Sequence, residues 1–365
     1  MGFHKNAIDT PALLIDLPSM EKNLGTMTRF FRGVNAKLRP HVKLHKGTPA
    51  LTQLQVRDGV VGVTCAKLTE AEAVASAGIS DILIANQVVG PCKIQRLVAL
   101  AAHADVMVCV DDIENVKDLS QAARQKGVRL RVLVEVNIGN DRCGVPPGAP
   151  ALRLARAIEA SPGLIFSGLM GYDGHAAFVE DLSLREAKHR EVNQLLVEAR
   201  RYIERAGLAV ETVSASGTIS YKAAAQVDGI TEIQAGSYLL MDTMLRDRGA
   251  TEFECALTVL ATVTSRAPWL ATDDVAILDV GRKAMSLYYG MPEVKSPRGC
   301  EFISFSQEHA RVRLDAAARH LKVADKVEIL VRDANGTISM YDRFYAIRND
   351  IVEAVWQIPT IGRAT

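Results

Sequence analysis

The sequence lacks most of the features that would place a protein outside the cell, in a membrane or on nucleic acid. Its six cysteines (Cys65, Cys92, Cys109, Cys143, Cys255 and Cys300) are scattered and form no C-x-x-C pair. That argues against a zinc ribbon or a disulfide framework. Several sit in apolar runs, as Cys109 does in Val106-Met107-Val108-Cys109-Val110, where buried free thiols are found. No apolar run approaches the roughly 20 residues that span a bilayer. The N-terminus, Met1-Gly2-Phe3-His4-Lys5-Asn6, has no apolar core of the signal-peptide kind. These absences imply a cytoplasmic protein with no membrane partner. Charge of one sign is missing too: the formal net charge is +1, too little to favour nucleic acid. No G-x-G-x-x-G follows the first strand-like run, which counts against a nicotinamide cofactor.

What is present is an ordinary globular composition, 48% hydrophobic and 23% charged over 365 residues, enough for a large domain and a smaller one. Residues 12–17 form one isolated strand, followed by an amphipathic helix over 19–32. An alternation then begins. Apolar runs at 38–43, 60–64, 81–85, 105–110, 130–137, 164–171, 212–216 and 232–235 read as strands. Helical periods lie between them, among them 68–77, 92–102, 113–125, 149–160, 183–206 and 220–226. Buried β-branched runs separated by helices indicate a parallel sheet covered by helices. Eight such units predict an α/β fold, a (β/α)8 TIM-like barrel.

After about residue 245 the pattern shortens and alternates, in runs at 253–266, 275–279, 300–306, 310–314, 326–331, 337–340 and 351–356. Asp273-Asp274, Pro297-Arg298-Gly299 and Asn335-Gly336 mark turns between them. The expected organisation is residues 1–18 as a strand joining a C-terminal antiparallel β-domain (246–365), with the barrel at 19–245.

In such a barrel the C-terminal ends of the strands form the active face. Lys43 ends the first strand, in Arg39-Pro40-His41-Val42-Lys43-Leu44-His45-Lys46, which carries two histidines and two lysines within six residues. A desolvated lysine of lowered pKa is a Schiff-base former. Asn137, with Arg142 in the loop beyond it, ends the fifth strand. Tyr172-Asp173-Gly174-His175 follows the sixth, Ser216-Gly217-Thr218 the seventh and Gly236-Ser237-Tyr238 the eighth. Small hydroxyl-bearing turns after the last two strands are where barrels hold phosphate. Phosphate, a carbonyl and a lysine amine together describe pyridoxal 5'-phosphate.

The chain resembles the alanine-racemase-like (fold type III) pyridoxal-phosphate enzymes, in the branch of D-threonine aldolase, 3-hydroxy-D-aspartate aldolase and D-serine dehydratase. The resemblance covers essentially the whole chain. It rests on Asp9-Thr10-Pro11-Ala12-Leu13-Leu14-Ile15-Asp16, Arg39-Pro40-His41-Val42-Lys43, Gly62-Val63-Thr64-Cys65-Ala66-Lys67, Asp81-Ile82-Leu83-Ile84-Ala85-Asn86, Glu135-Val136-Asn137-Ile138-Gly139, Arg142-Cys143-Gly144-Val145, Gly236-Ser237-Tyr238 and Asp342-Arg343. It implies that Lys43 is the Schiff-base residue and that Arg142 approaches the cofactor's phenolic oxygen. It implies Tyr172 beside the ring or substrate, and Gly217, Thr218, Gly236, Ser237 and Tyr238 around the phosphate. It also implies a homodimer with the active site near its interface, acting on a small amino acid.

The chain departs from the family at the metal site. Where the family has a His and, two residues on, an Asp or Cys, this sequence has Asp333 and Asn335. Oxygen donors of this kind suit at best a hard cation such as Mg or Mn, weakly held. The bland reading of Asp333-Ala334-Asn335-Gly336 is a hairpin turn. His309, in Ser306-Gln307-Glu308-His309-Ala310, is the candidate second base or a surviving metal ligand. The expected reaction is aldol cleavage of a β-hydroxy D-amino acid. The alternatives are dehydration, metal-independent racemisation, and a non-catalytic cofactor carrier, which the β-domain counts against.

Overall fold

The computed structural model describes residues 1–56, 59–266, 273–363 and 365. Strands in chain order are β1 (Ala12–Asp16), β2 (Lys37–Leu38), β3 (Val63–Cys65), β4 (Asp81–Gln87), β5 (Asp105–Val110), β6 (Leu130–Glu135), β7 (Leu164–Gly171), β8 (Thr212–Ala215) and β9 (Glu232–Ile233). They continue with β10 (Leu257–Ser265), β11 (Val275–Leu278), β12 (Glu293–Ser296), β13 (Cys300–Phe305), β14 (Ala310–Leu314), β15 (Lys326–Leu330), β16 (Arg343–Arg348) and β17 (Ile351–Gln357). The chain divides into two compact units: Met27–Ser237 with Arg363–Thr365, and Met1–Thr26 with Tyr238–Gly362.

The first unit is the barrel. Its eight-stranded sheet runs β2-β9-β8-β7-β6-β5-β4-β3, and every pair is parallel. Parallel bridges Leu38↔Val60 and His41↔Thr64 join its two ends. Strands covered on both faces need continuous apolar runs, and β5 is buried from Val106 to Val110. Leu83, Met107, Cys109, Leu133 and Met170, from four successive strands, pack as one cluster. Helix ends follow local chemistry: the Asp112 carboxylate caps Ile113–Lys126, and Gly127, at φ 72°, closes it.

One ion network crosses this unit. Buried Arg39 donates to both oxygens of Glu232 at 2.8 Å, and to Asp81 at 2.6 Å. It links the chain after β2 to the first residues of β9 and β4. Gly62, at φ 135°, makes room, since a Cβ there would stand 2.4 Å from the guanidinium.

The first strand is shorter than the run at 38–43 implies. Pro40 has no N–H for a ladder, and beyond the His41 bridge residues 42–47 form turns. Lys46 (φ 54°) and Gly47 (φ 67°) complete the reversal. Lys43 therefore sits on a turn beyond the strand, not on the strand itself.

In the second unit the N-terminal strand joins the β-domain as expected. β1 lies inside the nine-stranded sheet, antiparallel to β10 and parallel to β16. Ile8, Ala12, Leu14, Leu260, Ile347 and Val352 pack around it. Residues 337–340 are not a strand, and Asn335-Gly336 is not a hairpin turn. Asp333 accepts a hydrogen bond from the Gly336 N–H and caps a short helix, Ala334–Ile338. An Asp at the N-cap outweighs the Asn-Gly signal because the following residues never pair back. The hairpin here joins β16 to β17. It turns at Asn349 (φ 50°) and Asp350 (φ 63°), the two positive dihedrals a type I′ turn requires. The sequence reading missed β12 and β16.

Candidate active site

Within the barrel unit the candidate residues all follow strand C-termini. Lys43 is held by the turn at 42–47, in which the Gly47 N–H donates to the Val42 carbonyl at 3.1 Å. The side chain is half-buried. Its Nζ stands 5.7 Å from the centre of the Tyr172 ring, and the Arg142 guanidinium stands 5.3 Å from the same ring. Gly174 clears space for that ring, because a Cβ there would lie 2.2 Å from it. Gly217 is in van der Waals range of the ring, at 3.8 Å from where its Cβ would be. The Gly236 backbone passes so close to the strand-like segment before Lys43 that a Cβ would meet the His41 carbonyl oxygen at 2.0 Å. Thus Lys43, Arg142, Tyr172 and Gly217 converge, and the turn at Gly236-Ser237 abuts the approach to Lys43.

The Arg142 loop has its own fastening. Asn137 Oδ1 accepts from the N–H groups of Gly139 (2.9 Å) and Asp141 (3.2 Å), and its Nδ2 donates to Asp141 (2.9 Å). The Gly144 N–H donates to Asp111 at 2.9 Å. A Cβ on Gly139 would lie 3.0 Å from His175 Nε2, so His175 rests on this loop.

Electrostatics around Lys43 ease the loss of its proton. Burial pushes its ammonium down from the ordinary lysine range, Arg142 pushes the same way, and Glu70 opposes them. His41 is driven well below the usual histidine range by burial and then by Lys43. His45 turns inward, its Nε2 2.8 Å from Gln55 Oε1, and burial lowers it to about 4. Burial raises Glu70 despite N–H donors from Ala66 and Lys67, and raises Glu135 beside Gln87.

One family model, described as the alanine racemase N-terminal domain, matches residues 15–244. A second, described as a putative serine dehydratase domain, matches residues 256–347. The chain is 35% identical to 3-hydroxy-D-aspartate aldolase from Paracoccus denitrificans (strain Pd 1222), over 99% of this chain and 94% of that one. The chain belongs to the alanine-racemase-like family. Among solved structures, D-threonine aldolase from Filomicrobium marinum superposes with a TM-score of 0.93 at 36% identity, covering 100% of this chain and 98% of that one. D-threo-3-hydroxyaspartate dehydratase from Delftia sp. (strain HT23) is 28% identical over 96% of this chain and 97% of its own.

The family's cofactor fits the barrel unit. A lysine of lowered pKa stands beside an aromatic ring and an arginine, and Gly217, with no side chain of its own, lies in van der Waals range of that ring. The family's metal does not fit the residues at its place. Asp333 already accepts from Ser286 Oγ (2.6 Å) and from the Gly336 N–H (3.1 Å). Asn335 points its residue surface to solvent. Among the described residues no group of three His, Cys, Asp or Glu side chains is placed to hold a metal ion.

The remaining candidates lie in the second unit. Tyr238 is fully buried and packs on Phe253, with ring centres 5.8 Å apart. His309 is exposed on the turn between β13 and β14, where its carbonyl accepts from the Ser306 N–H at 2.8 Å. Sequence reasoning missed Asp173, which gathers His189, Asn193, Ser216 and Ser220 around one buried carboxylate. The available signal was His189 and Asn193 at i, i+4 on a helix, spacing that places both on one face.

Proposed function

We propose that this chain is a pyridoxal-phosphate-dependent lyase acting on a small β-hydroxy D-amino acid, by Cα–Cβ cleavage to glycine and an aldehyde. D-Threonine and 3-hydroxy-D-aspartate are the substrates of the relatives named above, and they are the substrates proposed here. The observation that carries the reading is Lys43, a half-buried amine of lowered pKa, 5.7 Å from the Tyr172 ring at the barrel's active face.

When bound, the cofactor supplies a carbonyl for amines and an electron sink for a bond broken at Cα. Lys43 would hold that carbonyl group through its Nζ, and its lowered pKa eases the release and uptake of a proton at that atom on its side of the substrate. Arg142 supplies positive charge beside the Tyr172 ring, where it stabilises an anionic oxygen. Tyr172 bounds the site on one side and keeps water from it. The turns at 216–218 and 236–237, with the Thr218 and Ser237 hydroxyls, hold the phosphate. No step is assigned to a divalent cation. The reading carries with it a homodimer and a cytoplasmic location, the latter in keeping with six free cysteines.

Purified protein is expected to show a visible absorbance band that Lys43→Ala abolishes; a wild type that takes up no cofactor refutes the reading. Turnover of D-threonine, D-3-hydroxyaspartate and D-serine then assigns the reaction. Glycine with an aldehyde or glyoxylate marks an aldolase. A 2-oxo acid with ammonia marks a dehydratase, and inversion alone a racemase.

A further inference from the structure

The Asp173 carboxylate is 1% exposed. It accepts from His189 Nδ1 (2.8 Å), Asn193 Nδ2 (2.9 Å), Ser216 Oγ (2.9 Å) and Ser220 Oγ (3.1 Å). Two of these donors come from one helix, Leu182–Arg205, a turn apart. The other two bracket a single turn of five residues, 216–220. Ser220 Oγ does two things at once, donating to Asp173 while accepting from the Gly217 N–H at 3.1 Å. Ser216 holds φ 64°, a left-handed conformation that an L-residue seldom keeps without outside support. Its hydroxyl bond to Asp173 supplies that support. Burial pushes the Asp173 carboxyl up, but the bonds from His189, Ser216 and Asn193 outweigh it and keep the group anionic.

A buried carboxylate with this many donors is costly to assemble. The barrel strands at this point are already paired, β7 with β8 from Gly168 to Gly171, so the sheet does not need it. What the network does fix is the turn carrying Gly217 and Thr218, and Asp173 follows directly on Tyr172. We infer that Asp173 is the positioning residue for the phosphate group, holding the 216–220 turn in its receiving shape through Ser216 and Ser220. This rests on the cofactor reading above.

The test compares pyridoxal phosphate with pyridoxal, which lacks the phosphate, on apoprotein titrated by visible absorbance. The ratio of the two dissociation constants isolates what the phosphate contributes. Asp173→Asn is expected to shrink that ratio about tenfold, since hydrogen bonds to a charged group are strong. Ser220→Ala is expected to shrink it several-fold. Binding of pyridoxal alone should change little, and the phosphorus-31 resonance of bound cofactor should shift. A purely structural role would lower Tm and leave the ratio at the wild-type value, and that result overturns the inference. If Asp173→Asn does not fold, Ser220→Ala and Ser216→Ala carry the same comparison. Wild-type protein that binds neither compound overturns the cofactor reading itself, an outcome distinct from an unchanged ratio.

Discussion

Lys43 Nζ stands 5.7 Å from the centre of the Tyr172 ring, and the ring does not offset the forces that lower its pKa. A cation over an aromatic face gains about 0.5–1 kcal/mol. Taking an ammonium out of water costs considerably more, and the Arg142 guanidinium, 5.3 Å from the same ring, adds repulsion. Desolvation and repulsion win, so the amine is disposed to act as a nucleophile.

That balance has a signature in the apoprotein. The Lys43 pKa lies below its ordinary 10.5. Between the lowered value and 10.5 the unfolded chain binds more protons than the native one, so stability rises with pH across that window. Lys43→Met should remove this part of the slope and make the apoprotein more stable at neutral pH. Urea unfolding at several pH values measures it; an equally steep slope in the variant would contradict the assignment.

Asp242 works in the opposite sense. Burial lifts its carboxyl from 3.8 to about 6, while N–H donors from Leu245 and Ala334 hold it back. The native state then binds more protons than the unfolded chain between those values, so the group's contribution to stability falls as pH rises from about 4 to 6. Asp242→Asn is expected to flatten that fall. Thermal unfolding from pH 4 to 7 checks it.

The metal position allows a gain-of-function test. Wild-type turnover should withstand EDTA, because Asp333 is engaged by Ser286 and Gly336. The double variant Asp333→His with Asn335→Cys installs imidazole and thiolate donors. It should take up Mn²⁺ or Zn²⁺ in elemental analysis where wild type takes up none. Wild-type activity abolished by EDTA and restored by Mn²⁺ would contradict this expectation.

Gly236 tests the close approach to the lysine segment. Gly236→Ala drives a Cβ toward the His41 carbonyl oxygen, 2.0 Å away, and neither backbone can yield cheaply. Overpacking of this kind costs about 1–3 kcal/mol. A lower Tm together with weaker cofactor binding is expected. Gly33→Ala, where the added carbon meets only the Phe30 carbonyl oxygen at an ordinary 3.5 Å, is the control and should leave cofactor binding unchanged.

Much of the fold was legible because it is local. The short β-branched run Val106–Val110 reads as a strand covered on both faces, and Asp112 and Gly127 mark the ends of the helix beyond it. Lys43, Tyr172 and Gly217 were legible as candidates because strand ends in a barrel converge whatever the loops do. What the sequence could not settle was decided by competition between distant segments. Asn335-Gly336 carries the stronger hairpin signal, yet the hairpin forms at Asn349-Asp350, where the flanking residues have partners across the turn. Asp173 reads as one more loop carboxylate until the helix at 182–205 and the turn at 216–220 bring four donors to it. A buried charge is tolerated only where several segments meet to bond it, and that meeting is a property of the tertiary structure.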